Sequence, residues 1–299
     1  MSWIFPQSFF FIESEPNHNS RGFGVEAGRG VNGIILSMII GVYGLGRFGA
    51  FWAGQLSMYF SGSGNSVIGW SRNEKRSTPE GVARVSEDEL LSADVIVLCV
   101  AISAMENVLS RIAGRIAPGT LVMDTCSVKV HPSRLMKDML PSGVDLLGTH
   151  PMFGPDSGKN GIEGLPLVFS PLRMGDDEID LWRGIFHSMA LKVVEISPEQ
   201  HDKEAAYSQG ITHFIGRVLG ELNLNQSSIG TTGYHDLLDI VKQTCNDPWR
   251  LFVDLQQYNP YTALMRQDLH QAINVMLERF DSIEVPGRTD GGNTRTEGE

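Results

Sequence analysis

The stretch Ser37-Met38-Ile39-Ile40-Gly41-Val42-Tyr43-Gly44-Leu45-Gly46-Arg47-Phe48-Gly49 decides the fold. Its first half is a continuous apolar run, the pattern of a parallel strand buried on both faces. Three glycines follow at the spacing G-x-G-x-x-G, and beyond them Phe48, Phe51, Trp52, Leu56 and Phe60 recur at helical intervals. Strand, tight turn and helix in this order turn a weak glycine pattern into a dinucleotide-binding fingerprint. Gly44 permits the turn, Gly46 lets the backbone approach a pyrophosphate, and Gly49 lets the helix close on the strand. Leu45, Arg47 and Phe48 complete this cofactor-binding segment. The helix N-terminus offers unpaired N–H groups and a partial positive charge to the phosphates.

The next strand reads as Val67-Ile68-Gly69-Trp70. A dinucleotide without a 2′-phosphate calls for Asp or Glu at the end of this strand, to hold the ribose hydroxyls. The chain instead has Ser71-Arg72-Asn73-Glu74-Lys75-Arg76, with three cations close together. Ser71 can donate to a 2′-phosphate and Arg72 can make a charge-assisted contact with it. NADP is the expected cofactor; a solvated basic turn is the alternative. Further on, Asp94 to Val100 and Thr120 to Asp124 read as buried strands, and Ser103 is available as the N-cap of a helix. Leu191 to Ile196 reads as the last strand. The expected class is α/β, a Rossmann-type doubly wound and mostly parallel sheet over residues 38–197. Ligands in such sheets lie outside the carboxyl ends of the strands. Val100 to Ser103 and Asp124 to Lys129 are therefore expected near the nicotinamide. For Lys129, a role with phosphate or substrate charge and a solvated position both stay open.

Beyond Ser197-Pro198-Glu199 only helical patterns are read, so an all-helical domain is expected over 198–283. Its first helix, from about Pro198 to Leu222, has Tyr207, Ile211, Phe214, Ile215, Val218 and Leu222 as an apolar stripe, for core or a dimer interface. Gln209, Gly210, His213, Gly216, Arg217 and Gly220 gather opposite, facing either the cleft between the domains or an outer surface. Asp247-Pro248-Trp249 opens another helix, and Asn259-Pro260 starts the last. There Tyr261, Met265, Leu269, Ile273, Met276 and Phe280 recur at spacings of three or four, which reads as core. So much apolar surface in a short domain points to burial against a second copy, a homodimer.

Composition narrows the functional classes. A chain of 299 residues with 41% hydrophobic content can bury two cores. A net charge of −11 argues against nucleic acid as a partner. The longest apolar runs are strand-sized, so no membrane partner is expected. Cys99, Cys126 and Cys245 are odd in number and lack metal-ligand spacing, and they read as reduced thiols of a cytoplasmic protein. Residues 1–37 show no helix or strand period, and are expected to form a disordered arm or to precede a functional start at Met38. The tail over 284–299 is also expected to be disordered.

The chemistry is concentrated in Gly148-Thr149-His150-Pro151-Met152-Phe153-Gly154-Pro155-Asp156-Ser157-Gly158. One imidazole stands in a turn rich in Gly and Pro, where a general base near neutrality could meet a small molecule. A solvated or structurally hydrogen-bonded histidine is the alternative. With the glycine fingerprint, this turn resembles the prephenate and arogenate dehydrogenases of tyrosine biosynthesis, and most of all the plant and cyanobacterial NADP-dependent arogenate enzymes. The resemblance spans about residues 38 to 283. It implies that His150 takes the proton of a ring C4 hydroxyl while hydride leaves C4 for NADP, and carbon dioxide is lost as the ring becomes aromatic. The product would be tyrosine from arogenate, or 4-hydroxyphenylpyruvate from prephenate.

The same resemblance implies that Ser127, in an Asp-x-x-Ser-x-Lys loop, contacts the substrate and helps to position His150. The Ser71-Arg72 pair matches its NADP-dependent members, and the family forms homodimers through the helical domain. His213 and Arg217 become candidate substrate residues, with Arg250 and Arg266 as other candidates for a substrate carboxylate. A second histidine common in the family is Gly216 here, so its contacts do not carry over. Two alternatives stand beside this reading. One is another NADP-dependent two-domain reductase of the hydroxyacid or imine type, for which Lys203 would be the catalytic lysine. The other is a non-catalytic NADP-binding sensor.

Overall fold

The computed structural model describes residues 37–283. The readings of the N-terminal arm, of a start at Met38 and of the tail concern residues that lie, Ser37 and Met38 apart, outside that range. The chain runs through β1 (Ile39–Tyr43), α1 (Arg47–Phe60), β2 (Ser66–Trp70), β3 (Val82–Arg84), α2 (Glu87–Leu91), β4 (Val95–Leu98) and α3 (Met105–Ile112). It continues with β5 (Leu121–Asp124), α4 (Val130–Met139), β6 (Asp145–Pro151), β7 (Pro166–Arg173), α5 (Asp176–Ser188) and β8 (Lys192–Glu195).

These strands form one sheet in the order β3-β2-β1-β4-β5-β6-β7-β8. From β3 to β6 every pair is parallel; β7 runs antiparallel to β6, and β8 is parallel to β7. The order reverses direction between β1 and β4, the switch point at which such sheets bind ligands. Apolar strands need cover on both faces. Trp52, Leu56 and Phe60 of α1, with Trp182 and Phe186 of α5, fill one side. Leu90 and Leu91 of α2, Leu109 and Ile112 of α3, and Met136 of α4 fill the other. Full burial of one such large side chain contributes about 1.5–3 kcal/mol, which sets the scale of each helix's attachment.

Three local expectations are corrected. His150 does not stand in a turn: it is buried in β6 and lies opposite Val168 of β7. The sequence reading lacked β3, β6 and β7; Pro171 within β7 argues against a strand, and this antiparallel partner is what extends β6 as far as Pro151. Ser103 is not an N-cap, since α3 begins at Met105 without a side-chain cap. Its hydroxyl donates instead to Asp254 Oδ2 at 2.6 Å, tying the end of β4 to a later helix. The single helix expected from Pro198 to Leu222 is in fact interrupted.

That region contains α6 (Pro198–Ala205), a π-helical turn (Ala206–Gly210) and α7 (Ile211–Glu221), followed by α8 (Thr232–Asn246), α9 (Trp249–Tyr258) and α10 (Thr262–Asp281). Ser197 caps α6 by accepting from Gln200 N, with Pro198 in the first turn. At the π turn the Gly210 carbonyl accepts a bond from Gln256 Nε2 at 2.8 Å, which places α9 against the widened turn. The apolar stripe of α7 is not core within one chain, because Leu222 is 63% exposed and Tyr207 and Val218 are also exposed. Likewise Met265 of α10 is buried, whereas Ile273, Met276 and Phe280 are exposed, which corrects the reading of that run as core.

Candidate active site

At the first βα turn, Gly44 has φ +106°, and a Cβ there would overlap the Cys99 carbonyl. A Cβ on Gly49 would overlap the Gly44 carbonyl, so α1 could not close on β1. Gly46 differs: a Cβ there would meet nothing within 4 Å. It is the N-cap of α1, makes no side-chain cap and has no acidic residue in the first turn after it. Open space above uncapped N–H groups suits a pyrophosphate. Leu45 is buried in the core, and Phe48 stacks on Trp52 with ring centroids 6.3 Å apart, so both offer backbone rather than side chain to a ligand. Arg47 pairs with Asp156 of the loop after β6, and its guanidinium lies 3.8 Å from Asp247.

Ser71 is half-buried and Arg72 exposed in the loop after β2. The loop is held by a residue the sequence reading missed. Arg84 donates to the carbonyls of Ser71 at 3.1 Å and Asn73 at 3.2 Å, and also to that of Arg76. Its only sequence signal is a cation ending the short strand that pairs with β2. The three cysteines are free, and burial pushes the Cys99 thiol up to about 12, which keeps it protonated.

His150 sits at the carboxyl end of β6, 3% exposed. Burial pushes its pKa well below the usual histidine range, with help from neighbouring His201 and Lys129. Its Nδ1 lies 3.0 Å from His201 Nε2, and His201 Nδ1 lies 2.8 Å from Asp202 Oδ1. Asp202 also accepts from the backbone N–H groups of Lys129 at 2.6 Å and Val130 at 2.9 Å. Among the described residues His150 Nε2 has no hydrogen-bond partner. Sequence reasoning missed His201 and Asp202. The signal was an adjacent His-Asp pair in the first turns of a helix whose start at Ser197-Pro198 was legible.

The loop carrying Ser127 is fixed at both ends. Lys129 and Asp124, both 0% exposed, form an ion pair, and Lys129 Nζ also donates to the Thr149 carbonyl, next to His150. Neither open reading of Lys129 survives, since its charge is spent inside the protein. Ser127 is half-buried, and its hydroxyl has no partner among the described residues.

His213 is buried in α7, its Nδ1 has no partner, and burial lowers its pKa. Four residues on, Arg217 lies over Trp249 and Phe252 at 5.5 and 5.6 Å and donates to the Asp247 carbonyl at 2.6 Å. Its buried Nε is unpartnered, as is Gln209 Oε1. Unmet polar atoms at 209, 213 and 217 share one helix face, and buried groups of this kind call for a ligand or water. The small residues of that face do not line the cleft, because Gly216 lies tight against Thr244 and Gly220 against Cys245, both of α8. Of the other arginines, Arg266 is engaged by Gln256 and Arg250 donates to Ser103 Oγ. Lys203 is exposed over the Tyr261 ring. No group of His, Cys, Asp and Glu among the described residues could hold a metal ion.

A doubly wound sheet with an open, glycine-lined helix N-terminus and a buried imidazole at a strand end defines a dehydrogenase class that uses a nicotinamide dinucleotide. Comparison with known proteins narrows the class. The family model for the prephenate dehydrogenase nucleotide-binding domain matches residues 57–194, and that for a TYRAAT1-like C-terminal domain matches 218–283. Arogenate dehydrogenase 2, chloroplastic, of Arabidopsis thaliana is 39% identical over 256 residues, covering 82% of this chain and 70% of that protein. Arogenate dehydrogenase 1, chloroplastic, of the same plant is 37% identical over 244 residues, covering 78% of this chain but 38% of that longer protein. The crystal structure of Synechocystis arogenate dehydrogenase shares the fold, with a TM-score of 0.58, 21% identity, and coverage of 82% of this chain and 92% of that one. This chain belongs to the arogenate/prephenate dehydrogenase family.

Proposed function

We propose that the protein catalyses the NADP-dependent oxidative decarboxylation of arogenate, or of prephenate, to tyrosine or 4-hydroxyphenylpyruvate. The observation that carries this is the buried His150, tied at Nδ1 and free at Nε2, at the carboxyl end of β6. When bound, the cofactor supplies the hydride acceptor. His150 Nε2 takes the proton of the C4 hydroxyl as C4 loses hydride. Substrate and NADP give phenol, carbon dioxide and NADPH with no net proton, so the same nitrogen returns its proton to the phenol oxygen. The lowered basicity of His150 keeps it neutral near pH 7, ready to accept.

Ser127 contacts the substrate and helps to orient His150. His213 and Arg217 take substrate polar groups with their unmet nitrogens, and the aromatic-stacked Arg217 is the partner for a carboxylate. Gly44, Leu45, Gly46, Arg47, Phe48 and Gly49 hold the pyrophosphate, chiefly through backbone. Ser71 and Arg72 hold the 2′-phosphate from the loop that Arg84 fixes. In this reading residues 38–197 bind the dinucleotide and 198–283 complete the substrate site and dimerise through the exposed faces of α7 and α10. No described helix is long and apolar enough to cross a membrane, and free thiols are compatible with the proposed cytoplasmic location.

The test is NADP reduction by purified protein, with arogenate and prephenate offered separately and NAD as the comparison. Turnover with arogenate and NADP is expected. Silence with both substrates while NADP binds would leave the hydroxyacid- or imine-type reductase and the sensor readings.

A further inference from the structure

We infer that His201 and Asp202 hold His150 in a single tautomer, with its proton on Nδ1 and its lone pair on Nε2, and so make it an acceptor for the substrate hydroxyl. The inference rests on the reading of His150 as the base, and goes beyond it by assigning positioning roles to two residues of the other half of the chain.

The argument runs from the far end inward. Asp202 is 0% exposed, and its carboxylate faces two backbone N–H groups at the start of α4 as well as His201 Nδ1. Backbone N–H groups can only donate, and a helix N-terminus favours negative charge, so this carboxylate is ionised and accepts throughout. His201 Nδ1 must then carry the proton in their bond. In a neutral ring the other nitrogen is an acceptor, so His201 Nε2 presents its lone pair across 3.0 Å to His150 Nδ1, which must donate. His150 Nε2 is left unprotonated. His150 and His201 are each 3% exposed, which leaves little solvent to offer Nδ1 another partner.

A proton on both nitrogens of His201 would reverse the chain, making His150 Nε2 a donor and ending its use as a base. When His150 accepts a proton, the imidazolium keeps its Nδ1 donor bond to His201, with the Asp202 charge one ring further away. His150 belongs to β6 and the other two to α6, so docking of α6 on the sheet assembles the base. The carbonyl of Asp202 accepts from Asn259 Nδ2 at 2.8 Å, which ties α6 to the start of α10 as well.

The experiment is ring-nitrogen NMR on full-length protein labelled with ¹⁵N-histidine, with His150 and His201 assigned from single variants. Expected near pH 7.5 is protonated Nδ1 and unprotonated Nε2 on both rings; a protonated Nε2 on His150 overturns the inference. Turnover supplies an independent readout. His201→Phe should lower kcat about 10²-fold with KM changed less than about threefold, and His201→Gln, whose amide oxygen can stand in for Nε2, should recover to within about tenfold of wild type. Near-normal kcat in His201→Phe sinks the positioning role, as does equal loss in Phe and Gln variants. His150→Asn separates the two layers: if it retains normal turnover the base reading itself fails, whereas its inactivity beside an active His201→Phe sinks the tautomer assignment alone. The NMR result on wild-type protein decides the matter even where a variant does not fold.

Discussion

Replacing Lys129 with Met tests whether this cation is structural. The Lys129 ammonium and Asp124 carboxylate are both fully buried, and Asp124 Oδ1 already lacks a partner. Without the ammonium, Asp124 would keep only the backbone N–H of Cys126, at 2.9 Å, and the Thr149 carbonyl would lose a donor. Breaking a buried pair from one side costs about 3–5 kcal/mol, far more than the net worth of the pair, because one charge stays behind uncompensated. For a unit of this size that corresponds to a fall of about 6–20 °C in Tm. Changing Asp124 to Asn as well removes the stranded charge, and should restore about 2 kcal/mol relative to the single variant. Circular dichroism melts of wild type, K129M and D124N/K129M would measure both effects. A fall below about 3 °C in K129M, or a double variant no better than the single one, would refute the reasoning and reopen a substrate role for Lys129.

Other expectations follow from the same site. His150→Asn should lower kcat by about 10²–10⁴-fold with NADP affinity intact, measured by turnover and calorimetric titration. With His150 as the proposed base, activity should fall only as pH drops through its pKa; because burial lowers that pKa, kcat/KM should show no loss attributable to His150 near the ordinary value of about 6.5. The sign for stability is the opposite of that for a paired histidine. The unfolded chain binds this proton near pH 6.5 and the folded one does not, so the His150 contribution to Tm should decline below about pH 6.5. Arg72→Ala should weaken NADP by about ten- to a hundredfold and leave NAD nearly unchanged, whereas equal losses would exclude Arg72 as the phosphate partner. Val218→Asp with Phe280→Asp should convert a dimer to monomers in sedimentation; an unchanged assembly would place the interface elsewhere.

What could be read from the sequence follows from where the information is local. The first βα unit was legible because buried strand, glycine spacing and helix period coincide within residues 37–60. Strands β1, β2, β4, β5 and β8 were legible from their apolar runs, and the mostly parallel class from their alternation with helices, whereas β3, three residues long, and β6 were not read. β7 was hidden by Pro171, and the strand setting of His150 was hidden with it, because a strand end depends on a partner distant in sequence. The π turn at Ala206–Gly210 depends on contacts with Gln256, and no helical period reports it.

Within the site, the sequence identified types of chemistry but not pairings. His150 and the Asp124–Lys129 loop stood out by motif. His201 became visible only when α6 met β6, since 51 positions separate it from His150. Lys129 stays open between a charge-binding and a solvated role until Asp124 is found buried against it. Arg84 is an ordinary strand-end residue until its guanidinium is seen holding three carbonyls of the loop after β2.

The central claim is hydride loss from C4 with His150 holding the hydroxyl proton. Its most direct test is turnover of C4-deuterated arogenate with NADP by wild type and His150→Asn, reading deuterium in the reduced cofactor and the rate of tyrosine formation. The account predicts deuterium on the nicotinamide, one tyrosine per NADPH, and at least about a 10²-fold slower His150→Asn variant. Deuterium released to water, or equal rates for the two proteins, would contradict it.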